Sequence, residues 1–102
     1  MIWKPEPMKP QVCVDFDGTI FDGRGVIPGC IEALTQLQQK YFIAIFSARR
    51  TDTEWKQMVS VLKQHSVPYD TVLPPKPEAE FYIDDKGVRF TSWAEVLKTV
   101  PL

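Results

Sequence analysis

Two short apolar runs, residues 11–16 (QVCVDF) and 41–46 (YFIAIF), flank a segment whose apolar residues recur every three or four positions. Runs of this length predict buried strands. The recurrence of apolar residues every three or four positions in the segment between the runs predicts a helix that starts at Pro28-Gly29. Two strands separated by a helix favour a parallel pair joined by a crossover. This pattern limits the chain to an α/β fold.

The rest of the chain continues the alternation of helices and strands. A second helix is predicted to begin near residues 51–53, where Thr or Asp can cap it, and Ser92 is predicted to cap a last helix. Further strands are predicted at residues 71–73 and 80–83, with a brief edge strand at 88–90. We therefore expect a three-layer α/β domain with helices on both faces of a mainly parallel sheet.

The N-terminal region and the loop after the first strand carry other signals. Residues 1–10 contain three prolines and are predicted to form an N-terminal arm, which leaves residues 11–102 as one domain. The glycine-punctuated residues 20–28 predict only a hairpin. Both cysteines, Cys13 and Cys30, are expected to be reduced core residues.

Charge and hydropathy exclude several classes of function. With 12 basic and 13 acidic residues the net charge is −1, which does not support strong non-specific binding to nucleic acid. No apolar run approaches the roughly 20 residues that span a bilayer, and the N-terminus lacks the apolar stretch of a secretory signal. We expect a cytoplasmic protein that does not associate with membranes.

Each predicted strand is followed by polar or charged residues. Because the carboxyl ends of parallel strands gather along one edge of a sheet, we expect these residues to meet there. They are Asp15 and Asp17 at the end of the first strand, Ser47-Ala48-Arg49 at the end of the second, Lys76 after the third and Asp84-Asp85 at the end of the fourth. Crowded carboxylates oppose one another's ionisation, and a divalent cation relieves that conflict. Hard oxygen ligands favour magnesium, so the sequence predicts a Mg²⁺ site among these acids.

Such a site suits phosphoryl transfer. A carboxylate beside a cation can attack phosphorus while the cation and Lys76 hold the negative charge. Ser47 and the backbone N–H groups of Gly18-Thr19 can hold phosphate oxygens. Asp17 is placed to protonate the leaving oxygen and then to take a proton from the attacking water.

Asp15-Phe16-Asp17-Gly18-Thr19 resembles the DxDGT motif of the haloacid dehalogenase-like (HAD) superfamily of phosphatases. The resemblance spans residues 12–85 and implies a Rossmann-like core with Asp15 as the nucleophile and Asp17 as the general acid and base. Ser47 is similar to the hydroxyl residue of that family, and Lys76 to its lysine. Ser47, Ala48 and Arg49, with Gly18 and Thr19, are then expected to bind the phosphate.

The same resemblance implies how Mg²⁺ is held. The ligands would be the Asp15 carboxylate, the Asp17 backbone carbonyl and an acid of the pair Asp84-Asp85, with Asp84 favoured because it leaves the strand first. Two features depart from the family pattern. Only residues 77–83 separate Lys76 from the acidic pair, and no cap domain is present, so the site would be open.

The sequence therefore predicts a magnesium-dependent phosphomonoester hydrolase that forms an aspartyl-phosphate. Its substrate would be a phosphorylated small molecule or the phosphorylated end of a polymer, and a second subunit is a candidate cover for the open site. The alternatives are a phosphate-receiving signalling domain and a catalytically idle HAD-like protein that binds a partner.

Overall fold

The structure is a computed structural model that describes residues 9–75 and 79–102, and within these ranges it has three strands and three helices. The strands are β1 (Gln11–Asp15), β2 (Phe42–Phe46) and β3 (Thr71–Val72). The helices are α1 (Cys30–Gln38), α2 (Asp52–Gln64) and α3 (Trp93–Thr99). The α/β class predicted from the sequence is confirmed.

The three strands form one parallel sheet in the order β1-β2-β3. Asp15 lies opposite Phe46 in the β1–β2 ladder, and Thr71 lies opposite Ala44 in the β2–β3 ladder. Residues 42–45 of the middle strand are all buried, as expected for a strand covered on both faces. The parallel sheet is therefore confirmed at its centre.

Helix α1 begins where the sequence predicts, directly after Gly29. That glycine has φ of +84°, a left-handed conformation that favours a residue without a side chain. A Cβ at this position would lie 3.4 Å from the Cβ of Trp93, which packs α3 close to the start of α1. The apolar stripe of α1 is buried in the core at Cys30, Ala33, Leu34 and Leu37.

Side chains cap the other two helices at the predicted positions. The Thr51 hydroxyl accepts a hydrogen bond from the backbone N–H of Glu54, and the Glu54 carboxylate accepts one from the backbone N–H of Thr51. This reciprocal pair is a capping box, which satisfies two N–H groups that the helix leaves without partners. Ser92 caps α3 by accepting from the backbone N–H of Glu95.

Residues 20–28 form the predicted hairpin, in a short version. An antiparallel bridge joins Phe21 to Val26, and the N–H of Ile27 donates to the carbonyl of Ile20 at 2.7 Å. The Asp22 carboxylate accepts from the N–H groups of Arg24 and Gly25 across the turn. These backbone hydrogen bonds lower the pKa of Asp22.

The predicted strands at residues 80–83 and 88–90 are wrong, because neither segment forms a ladder in the structure. Phe81 is 84% exposed and Ile83 is 100% exposed. An apolar run becomes a strand only when a partner covers it, and propensity alone does not supply that partner. Pairing of residues 80–83 beside β1 would also crowd Asp84 and Asp85 against Asp15 and Asp17, which like-charge repulsion opposes.

The expectation of two buried cysteines is half right. Cys30 is buried and free, and desolvation, with a smaller effect of Glu32, raises its pKa to about 12. Cys13 is free but exposed, and its sulfur accepts a hydrogen bond from the Gln11 amide at 3.3 Å. The reason is that β1 is an outer strand of the sheet and turns Val14, not Cys13, toward the core.

Most of the predicted N-terminal arm lies outside the described residues. Of its last two residues, Lys9 donates its ammonium to the carbonyl of Gln38 at 2.8 Å, and Pro10 accepts from the N–H of Phe42 at 2.8 Å. In the ranges that the structure describes, none of the helices combines the length and the apolar character needed to cross a bilayer.

The two thiols should differ in reactivity. We expect a thiol reagent to modify Cys13 quickly in the native protein and Cys30 only after denaturation, because thiolates react and Cys30 is both buried and hard to ionise. Counting modified thiols with and without urea, in wild type, Cys13→Ser and Cys30→Ser, tests this. Two thiols reacting at the same rate in the native protein would contradict the assigned positions.

The cap of α2 should contribute to stability. We expect Thr51→Ala to lower the free energy of unfolding by about 1 kcal/mol, because Ala cannot accept the hydrogen bond from the helix. Urea denaturation measures the loss. Thr53→Ala, at an exposed position inside the same helix, is the control and should change stability by less than about 0.5 kcal/mol. Equal losses in the two variants would show that Thr51 is not acting as a cap.

Candidate active site at the carboxyl edge of the sheet

Asp15 and Asp17 lie on either side of a fully buried residue at the end of β1. The N–H of Phe16 donates to the carbonyl of Phe46 at 3.0 Å, which continues the pairing with β2 for one residue. The Phe16 ring is buried and stacks on Phe21 with 5.5 Å between ring centroids. Burial of this ring, favourable by roughly 1.5–3 kcal/mol, fixes the backbone between the two acids. Asp15 is half-buried there and Asp17 is exposed.

A tight turn follows the second acid. Gly18 has φ of +79°, which favours glycine, and its N–H donates to the carbonyl of Phe21 at 2.8 Å. The N–H of Thr19 donates to the carbonyl of Phe16 at 3.3 Å. Both N–H groups that the sequence analysis assigned to phosphate are thus occupied by carbonyls of the turn in this conformation. Their role in phosphate binding stays a prediction.

Ser47, directly after β2, joins the strand ends through its hydroxyl group. The side chain is fully buried. Its Oγ donates to Oδ2 of Asp17 at 3.3 Å and accepts from the N–H of Arg49 at 3.0 Å. Adjacent parallel strands therefore bring the predicted serine to the predicted general acid.

Arg49 makes the strongest contacts of the cluster. Its Nε donates to Oδ2 of Asp17 and its Nη2 to Oδ1, each at 2.9 Å, so that the guanidinium and the carboxylate form a two-pronged pair. Its Nη1 donates to the backbone carbonyl of Glu54 at 3.2 Å, and its Cζ lies 5.2 Å from the centre of the Phe16 ring. The hydrogen bond to Asp17 raises the pKa of Arg49.

The sequence predicts phosphate binding for Arg49, with an ion pair or a solvated side chain as the alternatives, and it does not identify Asp17 as the partner. The register of β1 against β2, continued beyond both strands, places Asp17 level with Ala48, one residue before Arg49. The spacing therefore brings Arg49 near Asp17 without selecting it as the partner. Sequence alone does not show that the arginine side chain turns toward the acid.

The predicted acidic pair does not join this cluster. Lys76 lies outside the described residues. Asp84 and Asp85 are exposed, and Oδ1 of Asp84 accepts from the N–H of Lys86 at 2.7 Å, within its own turn. Among the residues that the structure describes, no three or more His, Cys, Asp or Glu side chains are grouped closely enough to hold a metal ion. The predicted four-acid magnesium site is not assembled in this conformation.

The atoms at the end of β1 nevertheless suit magnesium chemically. The Asp15 carboxylate and the Asp17 backbone carbonyl are hard oxygen donors. Mg²⁺ in phosphoryl-transfer sites is commonly held by one or two carboxylates together with waters and substrate phosphate. These two donors therefore fit as part of a site, and the acid from the segment 79–91 would have to approach them to complete it.

A surface depression of about 770 Å³ lies elsewhere, on the outer side of α2. Its lining consists of residues of that helix only: Trp55, Lys56, Val59, Ser60, Lys63 and Gln64. It contains none of the predicted site residues and no carboxylate. The acids at the strand ends therefore remain the chemically distinctive group.

Comparison of the chain with models of protein families, with curated proteins and with solved structures finds no match. The functional assignment accordingly depends on the residues at the strand ends and on the sequence pattern that led to them.

The cap beside this cluster should make stability depend on pH. Hydrogen bonds from the backbone and side chain of Thr51, and then from the backbone of Arg50, lower the pKa of Glu54 below its ordinary value of 4.5. The stabilising effect of the Glu54 charge is therefore complete above pH 4.5 and is lost as the pH falls through the lowered pKa.

We expect wild type to be more stable than Glu54→Gln at neutral pH and the difference to disappear in acid. Urea denaturation of both proteins between about pH 3 and pH 7 measures it, in the range where Glu titrates. In a Thr51→Ala background, which lacks the hydroxyl partner, the pH-dependent difference should be smaller. A difference that is constant with pH would contradict the assigned role of the carboxylate.

Proposed function

We propose that this chain is a magnesium-dependent phosphomonoester hydrolase with a HAD-like fold and that it acts through an aspartyl-phosphate on Asp15. The observation that carries the proposal is the cluster at the carboxyl edge of the sheet. Asp15 ends β1 and Asp17 lies two residues beyond it, while Ser47 directly follows the parallel neighbour β2, with its hydroxyl 3.3 Å from the Asp17 carboxylate. Open α/β sheets bind their ligands at this edge.

The fold supports the proposal at a coarse level. Parallel pairing of β1 with β2 and of β2 with β3 is compatible with a Rossmann-like arrangement. The hairpin at residues 20–28, with one antiparallel bridge between Phe21 and Val26, is too short to form a cap domain. The proposed site is therefore open, which suits a phosphate carried on a small molecule or on the end of a polymer.

The residues present can divide the reaction into two steps. In the first, a carboxylate oxygen of Asp15 attacks phosphorus, the bond from phosphorus to the leaving oxygen breaks, and Asp17 gives that oxygen a proton. In the second, water attacks the phosphorus of the aspartyl-phosphate and gives its proton to Asp17. The Asp15–phosphate bond then breaks, which releases inorganic phosphate and restores both acids.

Magnesium, when bound, would supply positive charge against the phosphate oxygens. Asp15, the Asp17 backbone carbonyl and Asp84 would hold it, with Asp85 as the other candidate acid. Ser47 would donate its hydroxyl to a phosphate oxygen, beside Thr19 and Ala48. Lys76 is proposed to neutralise charge at the same place.

A phosphate-release assay tests this function. The panel should contain sugar phosphates, nucleotides and oligonucleotides phosphorylated at the 5′ or 3′ end, each with Mg²⁺ and with a chelator. We expect Mg²⁺-dependent release by wild type and a loss of at least about a thousandfold in Asp15→Asn, because the amide is not a nucleophile. Asp52→Asn, an exposed acid at the start of α2, is the matched control and should retain activity.

The other outcomes of this assay also decide between functions. Absence of release from every member of the panel by folded wild type would overturn the proposal. A stable acyl-phosphate formed from a small phosphodonor, without turnover, would identify a phosphate-receiving domain instead. If the protein neither releases phosphate nor forms an acyl-phosphate, a binding protein is the remaining function.

A further inference from the structure

We propose that Arg49 is a positioning residue for Asp17, and that its two-pronged contact holds this carboxyl group in the orientation that the proposed reaction requires. This inference rests on the proposed function, because it assigns a role within the same reaction. It goes beyond the expectation that Arg49 binds phosphate. Three features of the structure and one requirement of the chemistry support it.

The first feature is the geometry of the pair. Two nitrogens of one guanidinium meet two oxygens of one carboxylate, each at 2.9 Å. Such a fork fixes the rotation of the carboxylate as well as its position, which a lysine ammonium does not do. An arginine that only balanced charge would not need both contacts.

The second feature is that Arg49 is itself held in place. Its Nη1 donates to the carbonyl of Glu54, its backbone N–H donates to Ser47, and its guanidinium lies over the buried Phe16 ring. Only 20% of its side chain is exposed, against 49% for Asp17. The better-buried partner therefore orients the more exposed one, and the capped start of α2 anchors the pair.

The third feature is the difference between the two carboxylate oxygens. Oδ2 of Asp17 accepts from Nε of Arg49 and from the Ser47 hydroxyl, whereas Oδ1 accepts only from Nη2 of Arg49 among the described contacts. Arg49 thus contacts both oxygens by itself, and it keeps both contacts when the Ser47 hydroxyl turns to a phosphate oxygen. Arg49, not Ser47, is therefore the residue that can hold the orientation of the carboxyl group throughout the reaction.

The chemistry of the proposed reaction adds a requirement. Asp17 must give a proton to the leaving oxygen in the first step and take one from water in the second. Both transfers need the same atom to point to the same place, and misplacement of a catalytic group by about 1 Å costs on the order of a hundredfold in rate. Loss of Arg49 should therefore impair proton transfer more than phosphate binding.

Substrates with different leaving groups separate these roles. p-Nitrophenyl phosphate releases a stable anion that needs little protonation, whereas glycerol phosphate releases an alkoxide that requires the acid. The ratio kcat/KM reports the first step for both esters. We expect Arg49→Lys to lower kcat/KM about a hundredfold for glycerol phosphate and less than about tenfold for p-nitrophenyl phosphate.

Two comparisons make the test specific. Arg50→Lys, at the adjacent arginine, should leave both values close to wild type. In an Asp17→Asn background, Arg49→Lys should cause little further loss, because residues that act as a unit are not additive. Equal losses for the two esters in Arg49→Lys, or a fully additive double variant, would overturn the inference in favour of phosphate binding or a structural role.

An NMR measurement tests the pair without any activity. The Nε–H of Arg49 should give a resonance protected from exchange in wild type, and Asp17→Asn should remove that protection. Absence of protection in folded wild type would overturn the inference even if the chain proves to be a phosphatase. Protection in a chain that hydrolyses no phosphate ester would overturn the proposed function while leaving the positioning of Asp17 by Arg49 intact.

Discussion

The parallel register of β1 against β2 determines what can happen at the carboxyl edge of the sheet. Asp15 lies opposite Phe46, and the hydrogen bond from the N–H of Phe16 to the carbonyl of Phe46 extends this alignment beyond the ladder. A shift by one residue would turn Phe16 outward and Asp17 into the core, which the burial of the ring strongly opposes. The contact of Asp17 with Ser47 and Arg49 is therefore a consequence of how the core packs.

Helix α2 adds a second constraint from the opposite side of the cluster. Its capping box organises residues 51–54, and the backbone carbonyl of Glu54 then holds the guanidinium of Arg49. A carbonyl in the first turn of a helix is fixed by the helix itself, so the arginine is positioned by backbone geometry. Stability at the start of α2 and the orientation of Asp17 are thus linked through one side chain.

The sequence predicted those parts of the fold that local pattern determines. The stripe of α1, the buried run of β2 and the caps Thr51 and Ser92 each depend on residues close in the chain, and they were found at the expected places. The fate of residues 80–83 depends on a distant partner, and an apolar run carries no information about whether that partner accepts it. The exposure of Cys13 has the same origin, because it depends on which strand lies at the edge.

The candidate site also has one part that follows from local sequence pattern and another that depends on contacts between distant residues. Asp17 and Ser47 could be placed together from parallel strand ends alone, whereas the orientation of Arg49 depends on the Phe16 ring and the Glu54 carbonyl, which only the folded chain brings into contact.

Under the proposed function, the segment that carries Asp84 is subject to two opposing effects. Burial of Phe81 and Ile83 would favour its closure by roughly 1.5–3 kcal/mol for each side chain. Approach of its acids to Asp15 and Asp17 opposes closure by a repulsion of similar size, about 4 kcal/mol for one pair 4 Å apart near a protein surface. The two effects are comparable, so a divalent cation shared by these acids would remove the repulsion and make the free energy of closure favourable. Metal binding and closure of residues 79–91 would then occur together.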